Sequence, residues 1–158
     1  MFIFLSNLPA DDGVIIQGDV AGDQLGISVS NAGDVNGDGI DDVIIGANFG
    51  DNGGENAGEA YIIYGGTDLT NIDLTTLDAS QGFIVQGDVA GDVAAFSVSA
   101  AGDFNNDGYD DVIIGAPGSD VDGQANAGRA YIVFGGTNVS DVDLSTFSQS
   151  QGLSLIHI

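Results

Sequence analysis

The sequence repeats itself with a period of about 69 residues, and this period constrains the fold more than any other feature. Residues 13–47 and 82–116 are identical at 25 of 35 positions. After one inserted residue, NAGEAYIIYGGT (56–67) matches NAGRAYIVFGGT (126–137) at a spacing of 70. Both ends fall inside the period, so we expect the chain to be part of a longer array of repeats. The predicted divisions are the end of a preceding repeat (1–12), repeat 1 (13–81), repeat 2 (82–152), and an aberrant tail (153–158), which we interpret as an artefact.

Each repeat contains four short apolar runs separated by turns rich in Gly and Asp, a pattern that predicts four β-strands. The predicted strands cover residues 14–17, 27–30, 43–46 and 60–64 in repeat 1, and 83–86, 96–99, 112–115 and 130–134 in repeat 2. The third and fourth runs are apolar on both sides of the strand, so both faces of each sheet must be covered. Repeated four-stranded sheets that cover one another predict an all-β fold of antiparallel β-propeller blades. A β-solenoid is the alternative, but its coils repeat at about 20–30 residues.

The charge of the chain excludes several classes of partner. Its formal net charge is -23, with one Arg and no Lys, which argues against nucleic acid because phosphate binding needs a basic surface. No apolar run approaches the roughly 20 residues of a membrane-spanning helix, so we expect no membrane insertion. Cysteine is absent, which excludes disulfides and thiolate metal sites. Of the 24 acidic residues only Glu55 and Glu59 are Glu, and the preference for Asp indicates turns.

The acidic residues concentrate in one loop of each repeat, GDVNGDGIDD (33–42) and GDFNNDGYDD (102–111). Oxygen-bearing side chains occupy positions 1, 3, 5 and 9 of the loop, a Gly occupies position 6, and position 7 can offer its backbone carbonyl. Alternating oxygens around a tight turn suit Ca²⁺, which takes six to eight oxygen ligands. The predicted ligands of two calcium sites are Asp34, Asn36, Asp38, Ile40 (carbonyl) and Asp42 in repeat 1, and Asp103, Asn105, Asp107, Tyr109 (carbonyl) and Asp111 in repeat 2.

Other interpretations of this loop fit less well. An EF-hand needs a bidentate Glu at position 12 and flanking helices, whereas position 12 here is Ile45 or Ile114 and a strand follows. A nonapeptide calcium β-roll would repeat its motif every nine residues. A solvated turn without metal remains the alternative, since Asp, Asn and Gly all favour turns. We assign Asp41 and Asp110, at position 8, no role as ligands, and we interpret the Gly-Asp pairs at 18–19, 22–23, 87–88 and 91–92 as turn residues.

The repeat resembles the FG-GAP repeat, the blade of the integrin α-subunit β-propeller. The resemblance rests on the loops 34–42 and 103–111, on Gly115-Ala116-Pro117 and its counterpart Gly46-Ala47-Asn48, and on Leu25-Gly26 and Ala94-Ala95 at the place of the Phe-Gly pair. The near-identity of the two repeats resembles a bacterial array more than an animal integrin. The family implies a seven-bladed parent propeller that is extracellular or on the cell surface, with structural calcium and a role in adhesion or ligand binding.

The expected partners are an extracellular protein or glycan and further repeats of the parent chain. We expect no enzymatic activity, because the chain has no Cys or Lys and its one His, His157, lies next to the C-terminus. The alternative is an accessory propeller of a secreted enzyme, of a phospholipase type or active on carbohydrates, whose catalytic domain lies elsewhere. A purely structural surface array is a third interpretation.

Overall fold

The computed structural model describes residues 13–67 and 69–156, and the predicted remnant of a preceding repeat at 1–12 lies outside them. The described chain consists of short strands and two 3-10 turns, Leu74–Thr76 and Leu144–Thr146. The strands are β1 (Ile16–Gln17), β2 (Ser28–Gly33), β3 (Asp42–Ala47), β4 (Glu59–Ile63), β5 (Ile72–Asp73), β6 (Gly82–Gln86), β7 (Ser97–Gly102), β8 (Asp111–Ala116), β9 (Arg129–Val133), β10 (Val142–Asp143) and β11 (Gly152–Ile156).

The strands form two equivalent antiparallel sheets, which confirms the predicted fold class. The first blade has the order β2-β3-β4-β6, and the second has the order β7-β8-β9-β11. Strand β10 adds to the outer edge of the first blade, parallel to β6, with Val142 opposite Val85. The short strands β1 and β5 pair in the same parallel way, with Ile16 opposite Ile72.

Each blade is offset by one strand from the sequence repeat. Strand β6 begins repeat 2 in the sequence, yet it pairs with β4 and completes the first blade. The segment 152–156, which includes most of the tail, takes the same place in the second blade, where β11 pairs with β9. Each repeat therefore contributes the outer strand of the blade before it, so that consecutive blades are tied together by the chain itself.

In the first blade both faces of β4 and most of β3 are buried, as the apolar runs predict, whereas Val43 is 40 % exposed. One face of the first blade packs against the second blade, and there Ile44 and Ile62 are fully buried beside Val112 and Ile114. The opposite face, which carries Tyr61, packs against residues of β1 and β5. Burial of large aliphatic side chains at about 25 cal/mol per Å² of apolar surface makes this packing the main source of stability.

The blades approach most closely along β2 and β7, where small residues line the contact. Ala94 and Ala95 are buried there, and the Ser28 hydroxyl donates to the Ala95 carbonyl at 2.8 Å. A Cβ added at Gly46 would lie 2.2 Å from the same carbonyl oxygen, so this position of β3 has no room for a side chain. Among the described residues, no helix has the length and hydropathy needed to cross a bilayer.

Candidate metal centres

The loop between β2 and β3 folds around the carboxylate of Asp34. Its Oδ1 accepts hydrogen bonds from the N–H groups of Gly37 (2.8 Å) and Asp38 (2.9 Å), and its Oδ2 accepts one from Gly39 (2.9 Å). Gly39 has a φ of 88°, a left-handed conformation that favours glycine at position 6. The same carboxylate thus closes the turn and sets the path of the residues that follow.

The oxygens at positions 1, 3 and 5 converge on one side of this loop. The Asp38 N–H lies 2.9 Å from both Asp34 Oδ1 and Asn36 Oδ1, so these two oxygens face a common point. The Asn36 amide nitrogen donates to Asp38 Oδ2 at 2.9 Å. The structure therefore brings together three of the four predicted side-chain ligands of repeat 1.

The second loop, between β7 and β8, repeats this arrangement. The Asp107 N–H lies 2.9 Å from both Asp103 Oδ1 and Asn105 Oδ1, and the Asn105 amide nitrogen donates to Asp107 Oδ2 at 2.8 Å. The N–H of Gly108 donates to Asp103 Oδ2 at 3.0 Å. Two loops with different residues at positions 2, 4 and 7 share these hydrogen bonds, because the Asp, Asn and Gly residues that make them occur in both loops.

The carboxylate at position 9 lies behind the loop rather than at its surface. Asp42 is 1 % exposed, and its two oxygens accept from the N–H groups of Val35 (2.9 Å) and Gly65 (2.8 Å). Asp111 makes the same bonds to Phe104 and Gly135, both at 2.9 Å. Burial raises the pKa of both carboxyls, and the backbone donors only partly offset it. Position 9 thus joins the start of the loop to the turn that follows the third strand of the blade.

Position 8 of the second loop connects the two blades, a role that the sequence analysis did not assign. Asp110 Oδ2 accepts from the Asp34 N–H at 2.9 Å, and the Asp110 N–H donates to the Asp34 carbonyl at 3.1 Å. The Tyr109 ring lies against Gly37, where an added Cβ would be 2.4 Å from Cε1. The two acidic loops are therefore neighbours on one rim of the molecule.

The ligand chemistry of the loops fits a hard cation, although the carboxylate oxygens of each loop do not all lie within 4.8 Å of one another. Asp34, Asn36 and Asp38 offer only oxygen ligands, and the chain has no Lys. Within residues 13–67 and 69–156, the one group of three acidic side chains with oxygens less than 4.8 Å apart lies elsewhere. Asp42 lies behind these side chains, with both of its oxygens bonded to backbone N–H groups.

The group of three close acidic side chains consists of Asp19, Asp23 and Glu59, and the sequence did not predict it. Asp19 and Asp23 follow β1, whereas Glu59 begins β4 and is buried. The Tyr61 hydroxyl lies 2.7 Å from Glu59 Oε2 and 3.1 Å from Asp19 Oδ2. Aligning the two repeats would have revealed this group, because Glu59 of the first repeat corresponds to Arg129, and the chain has no other Arg and no Lys.

Comparison with known proteins agrees with the fold. The model of the FG-GAP repeat matches residues 25–63 and 94–133, which together make up half of the chain. The chain belongs to the FG-GAP repeat family, and both matches span an acidic loop.

Two curated relatives resemble the chain over part of its length. Integrin alpha-PS2 of Drosophila melanogaster is 34% identical over 125 residues, covering 76% of this chain and 8% of the relative. Phosphatidylinositol-glycan-specific phospholipase D of Rattus norvegicus is 35% identical over 57 residues, covering 35% of this chain and 7% of the relative. The chain thus spans less than a tenth of either relative.

Proposed function

We propose that this chain is a calcium-binding propeller module for adhesion or ligand binding outside the cell, and that its calcium is structural. The observation that carries the proposal is the convergence of Asp34, Asn36 and Asp38 in one loop, repeated by Asp103, Asn105 and Asp107 in the next. The carbonyls of Ile40 and Tyr109 and the carboxylates of Asp42 and Asp111 complete the two proposed ligand sets.

Calcium at these loops would stabilise the contact between the blades. The Asp34 backbone is bonded to Asp110 of the neighbouring loop, so an ion that fixes Asp34 also fixes this link. A bound ion would also offset the repulsion among carboxylates, which nearby Lys side chains cannot do because the chain has none. Extracellular calcium modules bind at about 10⁻⁴–10⁻³ M, which suits a protein outside the cell.

The test is a count of bound calcium combined with thermal melts. At a calcium concentration about 100-fold above Kd, each occupied site should stabilise the fold by about 2.7 kcal/mol. We expect Asp38→Asn and Asp107→Asn each to lose one equivalent of calcium and part of the rise in Tm. Asp122→Asn removes the same charge from an exposed loop and should change neither. Equal behaviour of all three variants, or a wild-type Tm that ignores calcium, would contradict the proposal.

We further propose that another repeat of the parent chain covers the free face of the second blade. Val35 of the first loop is 1 % exposed because the second blade covers it, whereas its counterpart Phe104 is 53 % exposed. In a longer chain that includes the following repeat, Phe104 should become inaccessible to solvent-borne labelling reagents. Unchanged labelling of Phe104 in that chain would refute the assignment.

The adhesive role is supported by the similarity to Integrin alpha-PS2 over three quarters of this chain. We propose an extracellular protein or glycan as the ligand, since the strongly acidic surface disfavours nucleic acid. Protease treatment of intact cells should remove the protein, and a screen of matrix proteins and glycans should find a calcium-dependent ligand. An intracellular, protected protein would contradict the proposed location.

A second candidate function is an accessory module of a secreted enzyme, favoured by the local match to a phospholipase D. In this case the module itself would be non-catalytic and would position a catalytic domain elsewhere in the parent chain. The complete parent sequence distinguishes the two candidates through the presence or absence of a hydrolase domain. Hydrolysis of phosphodiester or glycosidic substrates by the purified chain itself would contradict both.

A further inference from the structure

The carboxylates of Asp19, Asp23 and Glu59 form a compact group far from the acidic loops. One oxygen from each lies within 4.8 Å of the others. Glu59 is paired with Ala47 at the end of β3, whereas the loop joins β3 at Asp42. Five residues of strand, about 17 Å, separate these two ends of the blade. The group therefore cannot share an ion with the loop 34–42.

Asp23 is buried without a hydrogen-bond donor for its carboxylate. It is 5 % exposed, and none of the described residues donates to its side chain. Burial raises the pKa of this carboxyl, and the nearby carboxylates of Asp19 and Asp51 raise it further. A buried carboxylate without a donor loses part of the solvation that stabilises its charge, so a cation beside Asp23 would stabilise its ionised form.

Glu59 and Asp19 are also only partly satisfied. The Tyr61 hydroxyl has one proton to share between Glu59 Oε2 and Asp19 Oδ2. The N–H of Asn52 donates to Glu59 Oε1 at 2.8 Å, and burial raises the pKa of Glu59 above its ordinary value. The Val20 N–H donates to Asp19 Oδ1 at 3.1 Å. Three carboxylates thus surround one position with two N–H groups and a single hydroxyl as donors.

The second repeat shows what occupies this position when the chain supplies its own cation. There Asp88, Asp92 and Tyr131 correspond to Asp19, Asp23 and Tyr61, and Arg129 replaces Glu59. Its Nη1 lies 3.1 Å from Asp88 Oδ2 and 3.0 Å from the Tyr131 hydroxyl. The chain has no other Arg and no Lys, so its single permanent cation lies at the equivalent of the carboxylate group.

The second repeat also supplies the donor that Asp23 lacks. The Ser119 hydroxyl donates to Asp92 Oδ2 at 2.6 Å, and Gly50 stands at the corresponding place in the first repeat. A Cβ at Gly50 would lie 2.4 Å from Cδ of Glu59. The Glu59 carboxylate therefore occupies the space that a side chain at position 50 would need. The first repeat thus differs from the second by one added carboxylate, one lost guanidinium and one lost hydroxyl donor.

We propose that Asp19, Asp23 and Glu59 bind a divalent cation, with Ca²⁺ as the best match, at a third site that Arg129 replaces in the second repeat. Two oxygens that share a Ca²⁺ at about 2.4 Å are at most about 4.8 Å apart, and the oxygens of this group lie within that limit of one another. Oxygen ligands alone disfavour Zn²⁺ and Cu²⁺. The ion would fasten the segment after β1 to the start of β4.

The test exchanges the two repeats at this position and counts calcium by equilibrium dialysis and atomic emission. Glu59→Arg gives the first repeat the cation of the second and should bind one equivalent less than wild type. The reciprocal double variant Ser119→Gly/Arg129→Glu should bind one more. The calcium bound at the third site should not depend on the acidic loops. The double variant Asp38→Asn/Asp107→Asn should therefore keep one equivalent of calcium, and this equivalent should disappear when Glu59→Arg is added to that variant.

Stability without metal separates loss of an ion from loss of structure. In EDTA, Glu59→Arg should melt at a higher temperature than wild type, because the guanidinium neutralises Asp19 and Asp23 where no ion can. Glu59→Gln should lose the equivalent of calcium without gaining the neutralising charge of Arg. Equal calcium counts for wild type and Glu59→Arg would overturn the proposal and would indicate that protons neutralise the group.

Discussion

At the scale of single residues, the two aspartates at position 9 contribute to the fold independently of any metal. Asp42 is buried and bonds the N–H groups of Val35 and Gly65, which lie on two separate turns. No side chain without an acceptor can replace it, because both donors would be left without a partner. Asp42, which the sequence motif suggests as a ligand, thus also connects two backbone segments by hydrogen bonds.

We therefore expect Asp42→Ala to destabilise the protein even without calcium. An orphaned buried donor costs about 1–3 kcal/mol, so the loss of two acceptors should lower the free energy of unfolding by about 3 kcal/mol. Asp41→Ala is the matched control, since Asp41 lies next to it in sequence but its carboxylate bonds only the exposed Asn31 amide at 3.2 Å. Denaturant unfolding in EDTA measures both, and equal losses would refute this role of Asp42.

At the scale of strands, the contact between blades depends on the absence of a side chain at Gly46. The equivalent position, Gly115, lies on the second blade, where no further blade is described. An added Cβ would be 2.2 Å from the Ala95 carbonyl at Gly46, but at Gly115 it would meet only Ser97 closely, at 2.5 Å from its hydroxyl oxygen. A backbone carbonyl cannot move aside as a hydroxyl can.

The paired variants Gly46→Ala and Gly115→Ala therefore measure the packing of neighbouring blades. We expect Gly46→Ala to lower the free energy of unfolding by about 2 kcal/mol, because β2 and β7 must separate. Gly115→Ala should cost less than about 1 kcal/mol in this chain, since Ser97 can change its rotamer. Chemical denaturation of both variants tests the difference, and a Gly115→Ala loss as large as that of Gly46→Ala would contradict it.

Local sequence patterns predicted the strands that make the blades. They did not predict which strands from distant parts of the chain pair with one another. The runs around Ile44 and Ile62 are apolar on both faces, and this property follows directly from their burial. Strands β5 and β10 have two residues each, too few to show any periodicity. The place of β6 in the preceding blade depends on tertiary pairing and leaves no local signal.

The candidate sites divide in the same way. Asp34, Asn36 and Asp38 lie close in sequence, so spacing alone placed them in one loop. Asp23 and Glu59 are brought together only by the path of the chain between β1 and β4. Their signal lay in the comparison of the two repeats, where a carboxylate in one replaces a guanidinium in the other.

At the scale of the whole molecule, burial opposes the ionisation of several carboxyls at once. The pKa is raised, with burial as the largest cause, for Asp23, Asp42, Glu59, Asp92 and Asp111. The folded protein therefore binds more protons than the unfolded chain between the ordinary pKa of about 4 and the raised values. Its stability without metal should fall as pH rises through that interval, because the slope of stability with pH follows the proton difference.

Thermal melts in EDTA should thus show a higher Tm at pH 5 than at pH 7, the reverse of a protein held by ion pairs. The net charge of -23 acts in the same direction, since self-repulsion grows as carboxyls ionise. Calcium should reduce this difference, because bound Ca²⁺ requires the ionised carboxylates and adds its stabilisation mainly at pH 7. Asp78, whose pKa is lowered by the Ser80 hydroxyl and N–H, opposes the trend, but it is fully exposed. A Tm that rises from pH 5 to pH 7 in EDTA would show that exposed acids like Asp78, and not the buried group, govern the stability of the blades.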